Sequence, residues 1–247
     1  MVYRYVICCT LLEAIVLLSF SGSANADSIN PGVYSKDSKP HGIPYEVWQT
    51  KFWQWLHAIP EPLSPAKDMT GENCALNQSG PVWFLPGTFG DKAVRTCTIP
   101  AGKSILTSAI NMLASSAEHG LKDEASLRTL ANEDQDKARC LEVKIDGRAV
   151  KNLKDYRADS PLFTLALARD NNLGKYPEDV QADGEWISIE STATGEPVIK
   201  TKAVSDGHWV MLEPLSPGEH AIEAQGCILQ QPVTFVSDVE YNITVAP

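Results

Sequence analysis

Hydrophobic positions recur every three to four residues in one stretch of the chain and every second residue in most of the others. Between Pro44 and Pro60, Tyr45, Trp48, Phe52, Trp55, Leu56 and Ile59 fall within an arc of about 100°, which predicts an amphipathic helix over 44–59. Pro44 suits a first helical position and Pro60 a stop. Trp53 lies outside that arc, flanked by Glu46 and His57 on the nominally polar side. Either this face carries a binding residue, or other elements cover it and the helix is buried all round. Burial is the simpler reading, because tryptophan is usually core or interface.

Alternation predicts strands along most of the remaining chain. They cover Val82–Leu85, Ala93–Ile99, Lys103–Ile110, Arg139–Ile145, Phe163–Ala168, Trp186–Glu190, Val198–Val204, Trp209–Leu212, Glu219–Cys227 and Val239–Val245. Pro86-Gly87, Asp146-Gly147 and Pro214-Leu215-Ser216-Pro217-Gly218 supply turns, the second a hairpin signal and the third the return between two strands. Residues 123–137 are charged and helix-friendly, a helical insertion on the surface. Residues 27–43 are polar, with Pro and Gly, and read as an extended arm. Many short strands with few helices predict a mainly β fold, an antiparallel β-sandwich of jelly-roll or immunoglobulin-like type behind an N-terminal aromatic helix. No internal repeat or linker divides residues 27–247, so one domain is expected.

Residues 1–26 read as a signal peptide. Arg4 precedes an apolar run from Tyr5 to Phe20 whose only charge is Glu13, and Ala24-Asn25-Ala26 forms a cleavage signature. The run is short for a membrane span. A secreted or periplasmic location is therefore expected, without stable membrane insertion after cleavage; an uncleaved anchor is the alternative.

Cysteine usage agrees with export. Cys8 and Cys9 lie in the leader, and Cys74, Cys97, Cys140 and Cys227 remain, none in a C-x-x-C pair. Of three possible connectivities, proximity favours Cys74 with Cys97, a loop whose closure stabilises by about 3 kcal/mol in the chain-entropy model. Strand parity favours Cys140 with Cys227, both placed on the outer faces of their strands.

Charge narrows the partners. The chain of 247 residues holds 21 Lys and Arg against 31 Asp and Glu, a formal charge of −10. Nucleic acid is excluded, because phosphate binding needs a basic face. The expected partner is a small molecule, a glycan or a protein.

Four stretches, Trp48…Phe52-Trp53-Gln54-Trp55…Ile59-Pro60, Gln78 to Leu85, Arg95-Thr96-Cys97-Thr98-Ile99-Pro100-Ala101-Gly102-Lys103, and Asp206 to His220, carry a resemblance. In them the chain resembles a functionally uncharacterised family of exported bacterial and archaeal proteins. The resemblance implies export and brings no catalytic assignment.

Candidate chemistry is sparse. Glu46, Trp53 and His57 are the candidate ligand-binding residues, a tryptophan beside hydrogen-bonding groups suiting a stacked sugar or other small ligand in a groove between helix and sheet edge. His208 and His220 flank the Trp209–Glu219 turn, but no H-E-x-x-H spacing supports a metal, and none is expected. Asp170-Asn171-Asn172 and Asp179…Asp183-Gly184 fit turn chemistry better than calcium. No G-x-S-x-G elbow or phosphate loop occurs, and no cofactor is expected. A binding or structural role is preferred over the alternative, a secreted hydrolase acting on carbohydrate through dispersed carboxylates with His208 or His220.

Overall fold

The computed structural model describes residue 30 and residues 32–229 and 234–247. The leader expected at 1–26, with Cys8 and Cys9, lies outside the described residues.

The aromatic helix α1 spans Tyr45–His57, entered through Pro44 and closed at Ala58. The strands are β1 Val82–Phe84, β2 Lys92–Pro100, β3 Ser104–Ser115, β4 Ala138–Ile145, β5 Arg148–Ala149, β6 Arg157–Asp159, β7 Phe163–Leu167, β8 Ile187–Ser191, β9 Pro197–Leu212, β10 Gly218–Ile228 and β11 Phe235–Ala246. Two further helices follow β3: the single turn α2, Ser116–His119, and α3, Glu124–Gln135, which is the expected insertion. Asp123 caps α3 by accepting a bond from Ser126 N.

The strands form two sheets packed as a sandwich. One runs β1-β3-β9-β6, with β7 and β8 also on β9; the other runs β2-β11-β10-β4-β5. Most pairs are antiparallel, as expected. Two are parallel, β1 with β3 and β2 with β11, so both sheets are mixed. Alternation along a strand reports its buried face, not the direction of its neighbour, which is why the sequence pattern was silent on this point.

Two connections differ from expectation. Val198–Val204 and Trp209–Leu212 belong to one strand, β9, which continues through Asp206-Gly207-His208. Gly207 is required there: a Cβ would lie 2.6 Å from both Asn111 Cβ and Trp209 Nε1. The turn at Pro214–Gly218 does not return beside β9; it carries the chain across to β10 in the other sheet. Asp146 and Gly147 do form a tight hairpin, with φ of 50° and 74°, joining β4 to β5.

β9 organises its sheet by facing two ways. Ser205 and Trp209 meet α1, Ser205 Oγ donating to Gln49 Oε1 and Trp209 packing edge-on to Phe52 at 4.9 Å between centroids. Val204 packs with Leu127 and Ala131 of α3, and His208 Nδ1 bonds Gln135 Nε2 at 2.6 Å. Asp206, on that same face, is fully buried and bound by Arg157 Nε at 2.9 Å and Nη2 at 2.5 Å. Arg157 also reaches Asp136, tying α3, β6 and β9 together.

One hydrophobic core spans α1 and the inner faces of both sheets, including Val143, Ile222, Ala224, Val239, Tyr241 and Ile243. Arg95 sits inside it, fully buried. Its guanidinium donates to the carbonyls of Ala66, Asp68, Pro86 and Gly87 and to Tyr241 Oη, so the charge is spread over peptide dipoles and two loops are pinned to β2. The outer edge of β1 is closed by a side chain: Gln78 Oε1 accepts from Phe84 N while its Nε2 donates to Phe84 O and Cys74 O.

Both disulfides form as the sequence suggests, Cys74–Cys97 and Cys140–Cys227. The second forms for a partly different reason. Cys227 is buried at 1% exposure rather than on an outer face. The register between β10 and β4 shifts at Gln225/Cys227, and Cys140 takes a left-handed φ of 57°. A bulge therefore turns Cys140 towards its partner.

Candidate functional site

The candidate site begins at the C-terminal end of α1. Trp53 and His57 are one helical turn apart and stack, with ring centroids 5.6 Å apart and planes 17° apart. Ala168 N donates to His57 O, fixing this end of the helix after β7. Trp53 is 6% exposed and His57 fully buried, so this helix face is covered, as the simpler reading of the sequence has it. His57 stacks on one face of the Trp53 ring, and Phe52 packs against it edge-on.

Trp53 and His57 instead wall a cavity of about 260 Å³. β3 contributes Asn111, Met112 and Leu113, α2 contributes Glu118, and the opposite sheet closes it with Ile228 of β10 and Phe235 of β11. A smaller cavity of about 60 Å³ shares Trp53, Phe89, Asn111 and Phe235, so the indole stands between the two. The sheets meet closely alongside: a Cβ on Gly226 would lie 2.6 Å from Ala109 O, and β3 is bulged between Ser108 and Ile110. That bulge breaks the strict alternation of β3 just before Asn111.

Three buried nitrogens in the residues of this wall lack protein partners. Neither ring nitrogen of His57 has a hydrogen bond among the described residues, and neither has Trp53 Nε1. Such orphans in a buried setting each cost on the order of 1–3 kcal/mol unless a ligand or water meets them. Burial pushes His57 down to about 4, so the imidazole is neutral near pH 7 and presents one donor and one acceptor. Burial raises Glu118, against the pull of His119 and Lys175. Its Oε2 is buried and lies 3.3 Å from His119 Nε2.

Glu46 does not join this site. It is half-buried two turns earlier on α1 and lines neither cavity. Glu118 takes the place of the carboxylate expected near Trp53 and His57. The sequence offers only a helix-start pattern there, Ser115-x-x-Glu118: Ser115 Oγ accepts from Glu118 N, starting α2, and Gly120 at φ 69° ends it. Asn111 has no comparable signal.

The other histidines are engaged elsewhere. His208 bonds Gln135 and is pushed down to about 4, first by burial and then by Arg157 and Lys154. His220 Nδ1 lies 2.8 Å from Asp146 Oδ2, and its Nε2 lies 2.9 Å from Ser216 O and 3.4 Å from Ser216 Oγ. The three residue types match a hydrolytic triad, but the carbonyl holds the Nε2 proton, so Nε2 cannot take one from Ser216. The group clips the two turns together. Among the described residues no three His, Cys, Asp or Glu are grouped to hold a metal ion. Asp183 accepts from the backbone of Glu185, Trp186 and Ile187, and Asn171 Nδ2 bonds Ala168 O and Lys175 O, so both Asp/Asn clusters serve turns.

The fold and site define a disulfide-bonded, two-sheet β protein with a small, aromatic-walled cavity open to the surface. Among the described residues no helix is long and apolar enough to cross a membrane. No protein-family model and no curated protein matches the chain. The solved structure of PbICP-C in complex with falcipain-2 aligns with 68% of this chain and 100% of that one, at 12% identity and a TM-score of 0.21, which carries no argument.

Proposed function

We propose that the protein is an exported binding protein whose ligand is a small molecule held in the cavity beneath Trp53. The observation that carries this reading is the fully buried, unpartnered imidazole of His57 beside the unpartnered indole N–H of Trp53. A fold gains nothing from orphaned polar atoms behind a cavity wall, whereas a ligand that displaces that wall turns them into selective contacts. Two disulfides support a working place outside the reducing cytoplasm. The resemblance to an exported family agrees with it.

The test is His57→Phe, which keeps a flat ring and removes both nitrogens. It should leave the ligand-free protein as stable as the parent or more so. It should also abolish the thermal shift produced by any compound found in a screen of small molecules. A strongly destabilised His57→Phe, or one that still responds to the same compound, rejects the reading.

One observation favours a second reading, hydrolysis: His57 and Glu118 line one cavity, with burial lowering the first and raising the second, the opposed environments of an acid and a base. Turnover of a bound glycoside or ester, lost in Glu118→Gln, would select it over binding.

A further inference from the structure

We propose that the cavity takes a small organic ammonium ion that also carries an oxygen, held between its aromatic walls and the carboxylate of Glu118; this names the ligand class of the binding site and rests on that reading.

The chemistry of the lining selects for positive charge. Trp53, Phe89 and Phe235 are aromatic, Met112 adds a polarisable thioether, and no Lys or Arg lines the cavity among the described residues. Aromatic walls attract cations through the ring quadrupole, most strongly where water is excluded. Glu118 is the one ionisable carboxylate of the lining, with its Oε2 buried. Burial disfavours its charge, and a cation beside it favours it. An anion would meet that carboxylate and a chain of formal charge −10, a field that concentrates cations instead.

Asn111, partly exposed on this wall, presents its amide to a hydroxyl or carbonyl group on the ligand. The volume of about 260 Å³ suits a small organic molecule. His119 and Lys175 already draw on Glu118, so the ligand shares that carboxylate and its binding weakens with salt.

Choline is a suitable probe, with neohexyl alcohol, in which carbon replaces the nitrogen, as its uncharged counterpart. Titration calorimetry of the oxidised protein should show choline binding at least tenfold more tightly than the alcohol. Glu118→Gln, checked for an unchanged melting temperature, should weaken choline at least tenfold and the alcohol less than threefold. Equal binding of the two probes, or full choline affinity in Glu118→Gln, overturns the ammonium assignment. Binding of uncharged hydroxylated probes alone, lost in His57→Phe, also overturns it while leaving the cavity as the binding site. Absence of binding by every probe, together with a destabilised His57→Phe, removes the binding site itself.

Discussion

The indole of Trp53 lies nearly parallel over the imidazole of His57, and this pair joins the packing of α1 to the cavity. One ring supplies buried area and the other supplies unmet hydrogen-bonding capacity. Stability and binding therefore separate differently at the two positions.

Trp53→Ala should destabilise the protein by about 3–5 kcal/mol, the range for removing a large buried aromatic. Urea unfolding followed by circular dichroism measures this. A loss below about 1 kcal/mol would place the ring outside the core.

Acid should weaken the fold between pH 6.5 and 4. His57 is near 4 when folded against 6.5 in the unfolded chain, so the unfolded state binds a proton first as pH falls. The difference corresponds to roughly 3 kcal/mol lost across that window. His208 acts with the same sign. Chemical unfolding at pH 7 and pH 4.5 should show a shallower dependence in His57→Phe than in the parent; parallel curves would contradict the assignment.

His220 should act in the opposite direction. Desolvation opposes its charge, but the bonds to Asp146 and Ser216 prevail and raise its pKa. Its contribution is full below pH 6.5 and fades as pH rises through the folded value. Asp146 is half-exposed, so the gain is under about 1 kcal/mol. His220→Gln should cost this at pH 5.5 and almost nothing at pH 9, and proton-detected titration of the ring gives the pKa directly.

The two disulfides should differ in accessibility. Cys74 and Cys97 are both buried, whereas Cys140 is exposed. Graded reduction with alkylation and mass mapping should label Cys140 and Cys227 first. Simultaneous Cys74→Ala and Cys97→Ala should cost about 3 kcal/mol, the scale for a loop of this length.

Much of the architecture was written in the residue pattern. α1, α3, the alternating β2 and the last two strands of the chain, β10 and β11, follow from periodicity, and the hairpin from Asp146-Gly147. Pattern failed where tertiary contact decides. Arg95 alternates correctly into the core, but only two neighbouring loops make its charge tolerable there. Asp206 and His208 read as a break between strands, yet Arg157 and Gln135 absorb them into β9. For the site, Trp53 and His57 were legible as an unusual pair on one helix. Glu118 was not, because a carboxylate from α2 reaches the cavity only once β3 is folded against β9.

The amide of Gln78 fills the place that a neighbouring peptide would take beside Phe84. It satisfies that margin with a group that cannot be extended, so no second molecule finds a template there to lengthen the sheet. Shortening it to Ala would leave a bare amide and carbonyl at Phe84, and the cost would show less in unfolding than in slow accumulation of oligomers on storage.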